Sequence, residues 1–395
     1  MNRSSLLHFI ERLEGFLGKL PEAIRRPVLH ELTPLKELFL QQRAPRFLLA
    51  GSNRQPLQDI VSALFGWTPP LESRDVLMEL FRWHAMEFGG RGTALFLDAR
   101  GADAAPLSKI EEELKSQPAD ALLYLADEDS HTIERSELEN LTTFVAANPD
   151  GHSPSKVIGI VWQATDRMGA RHNGDAPLSA PAKMRSRLQS ALQAQAGVGP
   201  HLLQVIELPA GAGDDKARPS AKQFMSMLAR SLPNEARVEM ARIAADRAVQ
   251  GEIAQTLVKS TTAICAAIGA QPIPLADLPI LTALQLMMVS GIMYISGRER
   301  SLRAATEFVA ALGVNVGAGM VLREGARALL KFFPGWGNVV CGAVAGAGTY
   351  AIGRAAVVYF LEGLTLGDAR RAYLSSRKKR SAAGPLPIKQ IEVAR

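Results

Sequence analysis

Apolar residues dominate short runs through the first half of the chain, at 47–50, 93–98, 121–126, 157–162 and 205–210, the last interrupted by Glu207. Runs of that length predict buried strands. Stretches with helical spacing lie between them, so strands alternate with helices. The N-terminus has another period: Leu6, Ile10, Leu13, Leu17 and Leu20 recur at helical spacing, while Glu11 and Glu14 interrupt any apolar run. That pattern predicts an amphipathic helix and no signal peptide. A second amphipathic helix is predicted over about 26–42, ahead of the first strand.

After Pro233 the pattern changes. A helix with its charges on one face is predicted over 235–260, and from Ser260 to Gly297 the only charge is Asp277. Residues 278–297 carry no charge for 20 residues, the length a helix needs to cross a bilayer. A second charge-free run spans 335–353, followed by Arg354 and a further apolar stretch. Pro279, Thr282, Gln285 and Ser290 dilute the first run, and the second is mostly Gly and Ala. Two readings therefore fit: helices buried against one another in a soluble or membrane-apposed bundle, or helices inserted in a membrane. Gly313 with Gly317, and Gly342 with Gly346, permit close helix approach in either setting.

Composition narrows the field. At 395 residues, with 47% hydrophobic and 6% aromatic content, the chain has room for two or three domains with real cores and is not a disordered protein. Cys265 and Cys341 both sit in apolar helical stretches and read as small core residues of a protein in a reducing compartment. The seven histidines show no ligand spacing, and no Gly-x-Ser-x-Gly elbow is present. No metal site is predicted. Paired acids, Asp127 with Asp129 and Asp214 with Asp215, read as solvent-facing.

Charge is unevenly placed. Residues 368–395 hold eight Lys or Arg and two Asp or Glu, an excess equal to the +6 of the whole chain. Arg377, Lys378, Lys379 and Arg380 follow the last apolar helix, an arrangement that sets cations at anionic headgroups on a cytoplasmic membrane face. A solvated tail is the competing reading. No aromatic residue interleaves the run and no groove-reading motif precedes it, so nucleic acid is not an expected partner.

Candidate chemistry concentrates at the first strand. Residues 47–66, FLLAGSNRQPLQDIVSALFG, read as strand, turn and helix with the turn length of a phosphate-binding P-loop. Counting from Gly51, however, Pro56, Leu57 and Gln58 stand where Gly-Lys-Ser/Thr would bind phosphate and Mg²⁺. Leucine and glutamine supply neither the cation nor the metal-binding hydroxyl, and proline removes a backbone donor. Asp59, near the helix start, would repel a phosphate. Further along, Asp98-Ala-Arg-Gly101 has the spacing of an Asp-x-x-Gly switch. Gln163-Ala-Thr-Asp166 stands where an Asn-Lys-x-Asp guanine-reading box would fall, and Pro209-Ala210 ends the last predicted strand where a Ser-Ala-Lys loop would begin.

With the strand over 121–126 and the acidic loop after it counted among them, five such stations in order resemble an Era-like GTPase domain of the translation-factor-related class over roughly residues 46–232. The resemblance implies an α/β GTPase-like P-loop fold, a mostly parallel sheet flanked by helices. The C-terminal third resembles the YcjF-type helical domain found after Era-like domains in bacteria, through Pro272, Pro274, Asp277, Pro279, residues 282–285, Pro334-Gly335, Thr349-Tyr350 and Gly353-Arg354. That resemblance implies an all-α domain associated with the inner membrane. The organisation expected is N-terminal amphipathic helices over 1–44, a GTPase-like domain over 45–233, a helical domain over 234–375 and a basic tail over 376–395. The function expected is a degenerate GTPase-fold regulatory or interaction module at the cytoplasmic face of the inner membrane, with no cofactor. Its partners would be that membrane and a protein, either an active GTPase relative or a second copy. The alternative is a GTP-binding protein with weak residual GTPase activity, for which GTP and Mg²⁺ are the ligands and Arg54 or Arg100 replaces the lost lysine; the alternative to a peripheral or partly inserted location at the membrane is a cytoplasmic one.

Overall fold

The computed structural model describes residues 22–39, 41–66, 81–102, 104–130, 132–149, 155–163, 180–209, 218–270, 277–312 and 337–382. The helix expected over 6–20 lies outside these, as do Asp166, Ala210, Pro272, Pro274, Gly313, Gly317 and Pro334-Gly335. The chain divides into two compact units: residues 42–246, and residues 1–41 together with 247–395.

Residues 42–246 form a six-stranded sheet flanked by helices. In chain order the elements are β1 (Arg46–Gly51), α2 (Leu57–Phe65), β2 (Trp83–Glu87), β3 (Thr93–Asp98), α3 (Ala104–Ser116), β4 (Ala121–Asp127), α4 (Arg135–Ala147), β5 (Lys156–Gln163), α5 (Ala180–Ala194), β6 (Leu202–Pro209), α6 (Arg218–Ser231) and α7 (Asn234–Ala244); α1 belongs to the other unit. The strands lie in the order β2-β3-β1-β4-β5-β6. All pairs are parallel except β2 with β3. The five apolar runs became β1 and β3 to β6. Strand β2 went unforeseen, because WHAME at the sheet edge has only one buried residue, and an edge strand with one side open needs no apolar run.

Alternate residues of β1 feed two cores. Leu48 and Ala50 join Leu122, Tyr124, Leu141, Phe144 and Leu188 beneath α3, α4 and α5. Phe47, on the other face, packs at a tilt against Phe65 and Phe96 at 5.6 and 5.5 Å between ring centres, and Phe65 reaches Phe88 at 5.1 Å. Central parallel strands covered on both faces read as unbroken apolar runs rather than alternating ones, which is why they were legible.

The helical unit contains α1 (Glu22–Phe39), α8 (Arg247–Gly269), α9 (Asp277–Ile295), α10 (Leu302–Ala311), α11 (Gly337–Ala356, continued by a π-helical turn to Leu361) and α12 (Leu366–Ala382). Leu32 of α1 packs with Ile264, Cys265, Ile268 and Leu284, so the N-terminal helix belongs with the C-terminal ones. Helices α8 and α11 touch through small residues: a Cβ on Gly342 would lie 2.7 Å from the Ala266 carbonyl oxygen, and one on Gly353 would lie 2.6 Å from Val258.

Two boundaries differ from the sequence reading. The single helix expected over 235–260 is broken at Ala245, which takes a left-handed conformation (φ 49°) and caps α7 by donating its N–H to the Arg242 carbonyl. Asp246 then accepts from the Ser226 hydroxyl, tying the break to α6. Consequently α7 stays with the sheet, where Glu239 accepts from Gln42 and from the Thr93 amide. The units part after Asp246 rather than after Pro233.

Candidate functional site at the end of strand 1

Chain direction across the sheet reverses between β1 and β4, and doubly wound sheets offer a ligand crevice at the carboxyl ends of the strands at such a point. The turn at 52–56 leaves β1 there. It is filled by the protein's own side chains.

Gly51 starts the turn with φ 104°, and a Cβ at that position would collide with the Leu125 carbonyl oxygen. Only glycine lets β1 turn so close to β4. Asn53 then clamps the turn: its amide nitrogen Nδ2 donates to Asp127 Oδ1 at 2.5 Å, and its Oδ1 accepts from the Gln55 N–H at 3.0 Å. The backbone N–H of Asn53 donates to the Leu125 carbonyl. Pro56 has no N–H and caps α2 from outside the helix with an extended conformation (φ −52°, ψ 139°). Leu57 and Gln58 open α2 as half-buried residues, and Asp59 lies exposed in the same first turn.

Arg100 occupies the mouth of the turn. Its Nε and Nη2 donate to the two carboxylate oxygens of Asp98 at 2.8 and 2.7 Å. Its Nη1 donates to the backbone carbonyls of Asn53 at 3.0 Å and Gln55 at 2.7 Å. The guanidinium side chain is 9% exposed. The cation at this spot therefore faces carbonyl oxygens rather than amides, and its charge is matched by Asp98 in a bidentate pair. Asp98, the residue aligned with a switch aspartate, is engaged by Arg100. Gly101 follows in a left-handed conformation (φ 62°).

Beside the turn lies a cavity of about 370 Å³ lined in part by Gly51, Arg54, Gly101, Glu134, Glu137 and Asn140. The buried Tyr124 hydroxyl donates to Glu137 Oε2 at 2.8 Å. Burial pushes the Glu137 carboxyl above its usual range, an effect its bond from Tyr124 opposes and nearby Glu134 reinforces. Asp127 is raised too, chiefly by burial and against its bond from Asn53. Two carboxylates against one arginine make this a poor cradle for a polyphosphate. Mg²⁺ fits no better: no Ser or Thr hydroxyl stands at the start of α2, and Asp98 is committed. Among the described residues no group of three His, Cys, Asp or Glu side chains is arranged to hold a metal ion.

The remaining predicted positions are dispersed. Gln163 ends β5, its Nε2 donating to Glu207 at 3.4 Å, and Pro209 ends β6. Arg377, Lys378, Lys379 and Arg380 lie in α12, in the other unit, so the basic run is the end of a helix rather than the start of a tail. Asp127, expected to face solvent, instead anchors Asn53. Its placement depends on β4 ending beside β1, which spacing along the chain does not reveal. Asn53 is not among the predicted positions, although Asn in a turn two residues before an N–H it can bond is a recognisable signal. In the helical unit the segment Cys341–Leu361 is long and apolar enough to cross a membrane, whereas the apolar part of α9 is shorter, Ile280–Ile295.

No known protein-family profile matches the chain. It is similar to magnetosome membrane protein 22 of Magnetospirillum gryphiswaldense, with 30% identity over 148 residues, 35% of this chain and 74% of that protein. With that identity across three-quarters of the relative, the chain belongs to the family of magnetosome membrane protein 22.

Proposed function

We propose that this chain is a membrane-associated, catalytically silent GTPase-like module that works by binding another protein. The observation carrying this reading is Arg100, which fills the turn after β1 with a guanidinium already paired to Asp98 and bonded to the turn's carbonyls. The strand order, with only the β2 edge strand antiparallel, is consistent with an Era-like ancestry. Membrane association is supported by the relative's name, by the apolar segment Cys341–Leu361 and by the basic helix α12. The protein partner would be an active GTPase relative or a second copy, met through the α/β unit. The membrane face would be the cytoplasmic one, since cations accumulate there.

Titration of the purified protein with a fluorescent GTP analogue and Mg²⁺ tests the reading. Loss of the lysine, the hydroxyl and a turn amide removes several charge-assisted contacts, each worth about 1.5–3 kcal/mol. No saturable binding is therefore expected up to about 100 μM nucleotide, since a few such losses take a micromolar site past the millimolar range. Micromolar binding would overturn the reading in favour of a GTP-binding protein with residual hydrolysis.

A further inference from the structure

Helix α12 begins with a reciprocal cap. The Thr365 hydroxyl accepts from the Asp368 N–H at 3.2 Å, and Asp368 Oδ2 accepts from the Thr365 N–H at 3.2 Å. Arg371 also pairs with Asp368. The helix is therefore built to start immediately after the apolar α11, with only residues 362–365 between them. Ala369 and Tyr373 form its buried face.

A second face is uncovered. Leu366 is 38% exposed and Leu374 55%, and Leu364 just before the helix is 47% exposed. With 100° per residue, Leu366, Arg370, Leu374 and Arg377 fall within an arc of about 80°, so leucines and arginines alternate along one line of the helix. The helix carries six Lys or Arg and a single Asp. A stripe that mixes exposed leucines with the exposed Arg370 and the half-buried Arg377 is complementary to a surface with apolar depth and anionic rim. Such is a bilayer rich in acidic phospholipid.

Resting on the membrane association proposed above, we infer that α12 is an interfacial helix, lying in the plane of an anionic membrane with Leu364, Leu366 and Leu374 in the acyl boundary and Arg370 and Arg377 at the headgroups. An acidic protein groove would take the arginines but leaves the three leucines without a reason to be outside. The inference goes beyond attraction of the Arg377–Arg380 run, because it requires the leucines and a defined helix face.

The test is flotation of the full-length chain with vesicles of phosphatidylcholine alone or containing phosphatidylglycerol. Binding to the anionic vesicles, weakened by salt, is expected. Leu366→Ser/Leu374→Ser and Arg370→Gln/Arg377→Gln should each lower the partition coefficient, the latter by about fivefold per arginine. Circular dichroism melts verify that each variant is folded. Arg26→Gln/Arg135→Gln removes two highly exposed arginines elsewhere and should leave partition unchanged. If the leucine pair binds as the wild type does, or the control pair loses as much as the α12 pair, the inference falls. Equal, salt-resistant binding to both vesicle types would also sink it while leaving membrane association standing. A wild type that floats with neither sinks both.

Discussion

Arg100 uses its guanidinium to hold the turn after β1, and the proposed catalytic silence rests on that contact. Arg100→Ala would leave the Asp98 carboxylate without its bidentate partner and expose the Asn53 and Gln55 carbonyls to an empty space. Breaking a largely buried ion pair from one side costs about 3 kcal/mol. A drop of that order is expected in urea unfolding, with no gain of GTP binding. Lysine should restore little, since an ammonium cannot form the paired fork. The carboxyls of Asp127 and Glu137 predict a pH effect. Burial raises both above their ordinary values of 3.8 and 4.5. Below those values both states are protonated and the extra stability is complete. As pH rises through the higher folded-state values the native protein must ionise buried groups, and that stability is lost. Stability should therefore decline from about pH 4 upward, and Asp127→Asn with Glu137→Gln should flatten that decline in urea midpoints taken across pH.

At the scale of elements, sequence and structure agree best where local signals and tertiary demands coincide. The strands β1, β3, β4, β5 and β6 were legible because burial on both faces removes polar residues from the run. The break at Ala245 was not. Nothing local demands a left-handed alanine; it is held by its cap and by the bond from Ser226 to Asp246. Among helices, α8 and α11 approach so closely that Gly342 has no room for a side chain. Gly342→Val should cost about 2 kcal/mol through overpacking. Faster amide hydrogen exchange in α8 and α11, with the sheet unit unaffected, would register it.

At the scale of the whole molecule, the proposed membrane association is directly testable. Residues 341–361 are long and apolar enough to span one, and α12 carries the cations beside it. Membranes isolated from cells expressing the chain, washed first with high salt and then with carbonate, separate the possibilities. Retention through both washes is expected if Cys341–Leu361 inserts; release by salt would mean electrostatic attachment alone, and a soluble protein from the outset would reject membrane association.

Sequence by itself determined the alternation of strands and helices, the glycine at position 51, the absence of a P-loop lysine and hydroxyl, and the clustering of charge after the last apolar helix. These follow from period, residue type and order, which need no knowledge of the fold. Only tertiary structure decided that Arg100 seals the turn, that Asp127 is an anchor, that α1 joins the C-terminal helices and that α7 stays with the sheet. Each depends on which distant segments become neighbours, and neighbours are chosen by burial and hydrogen-bond satisfaction across the whole core rather than by spacing along the chain.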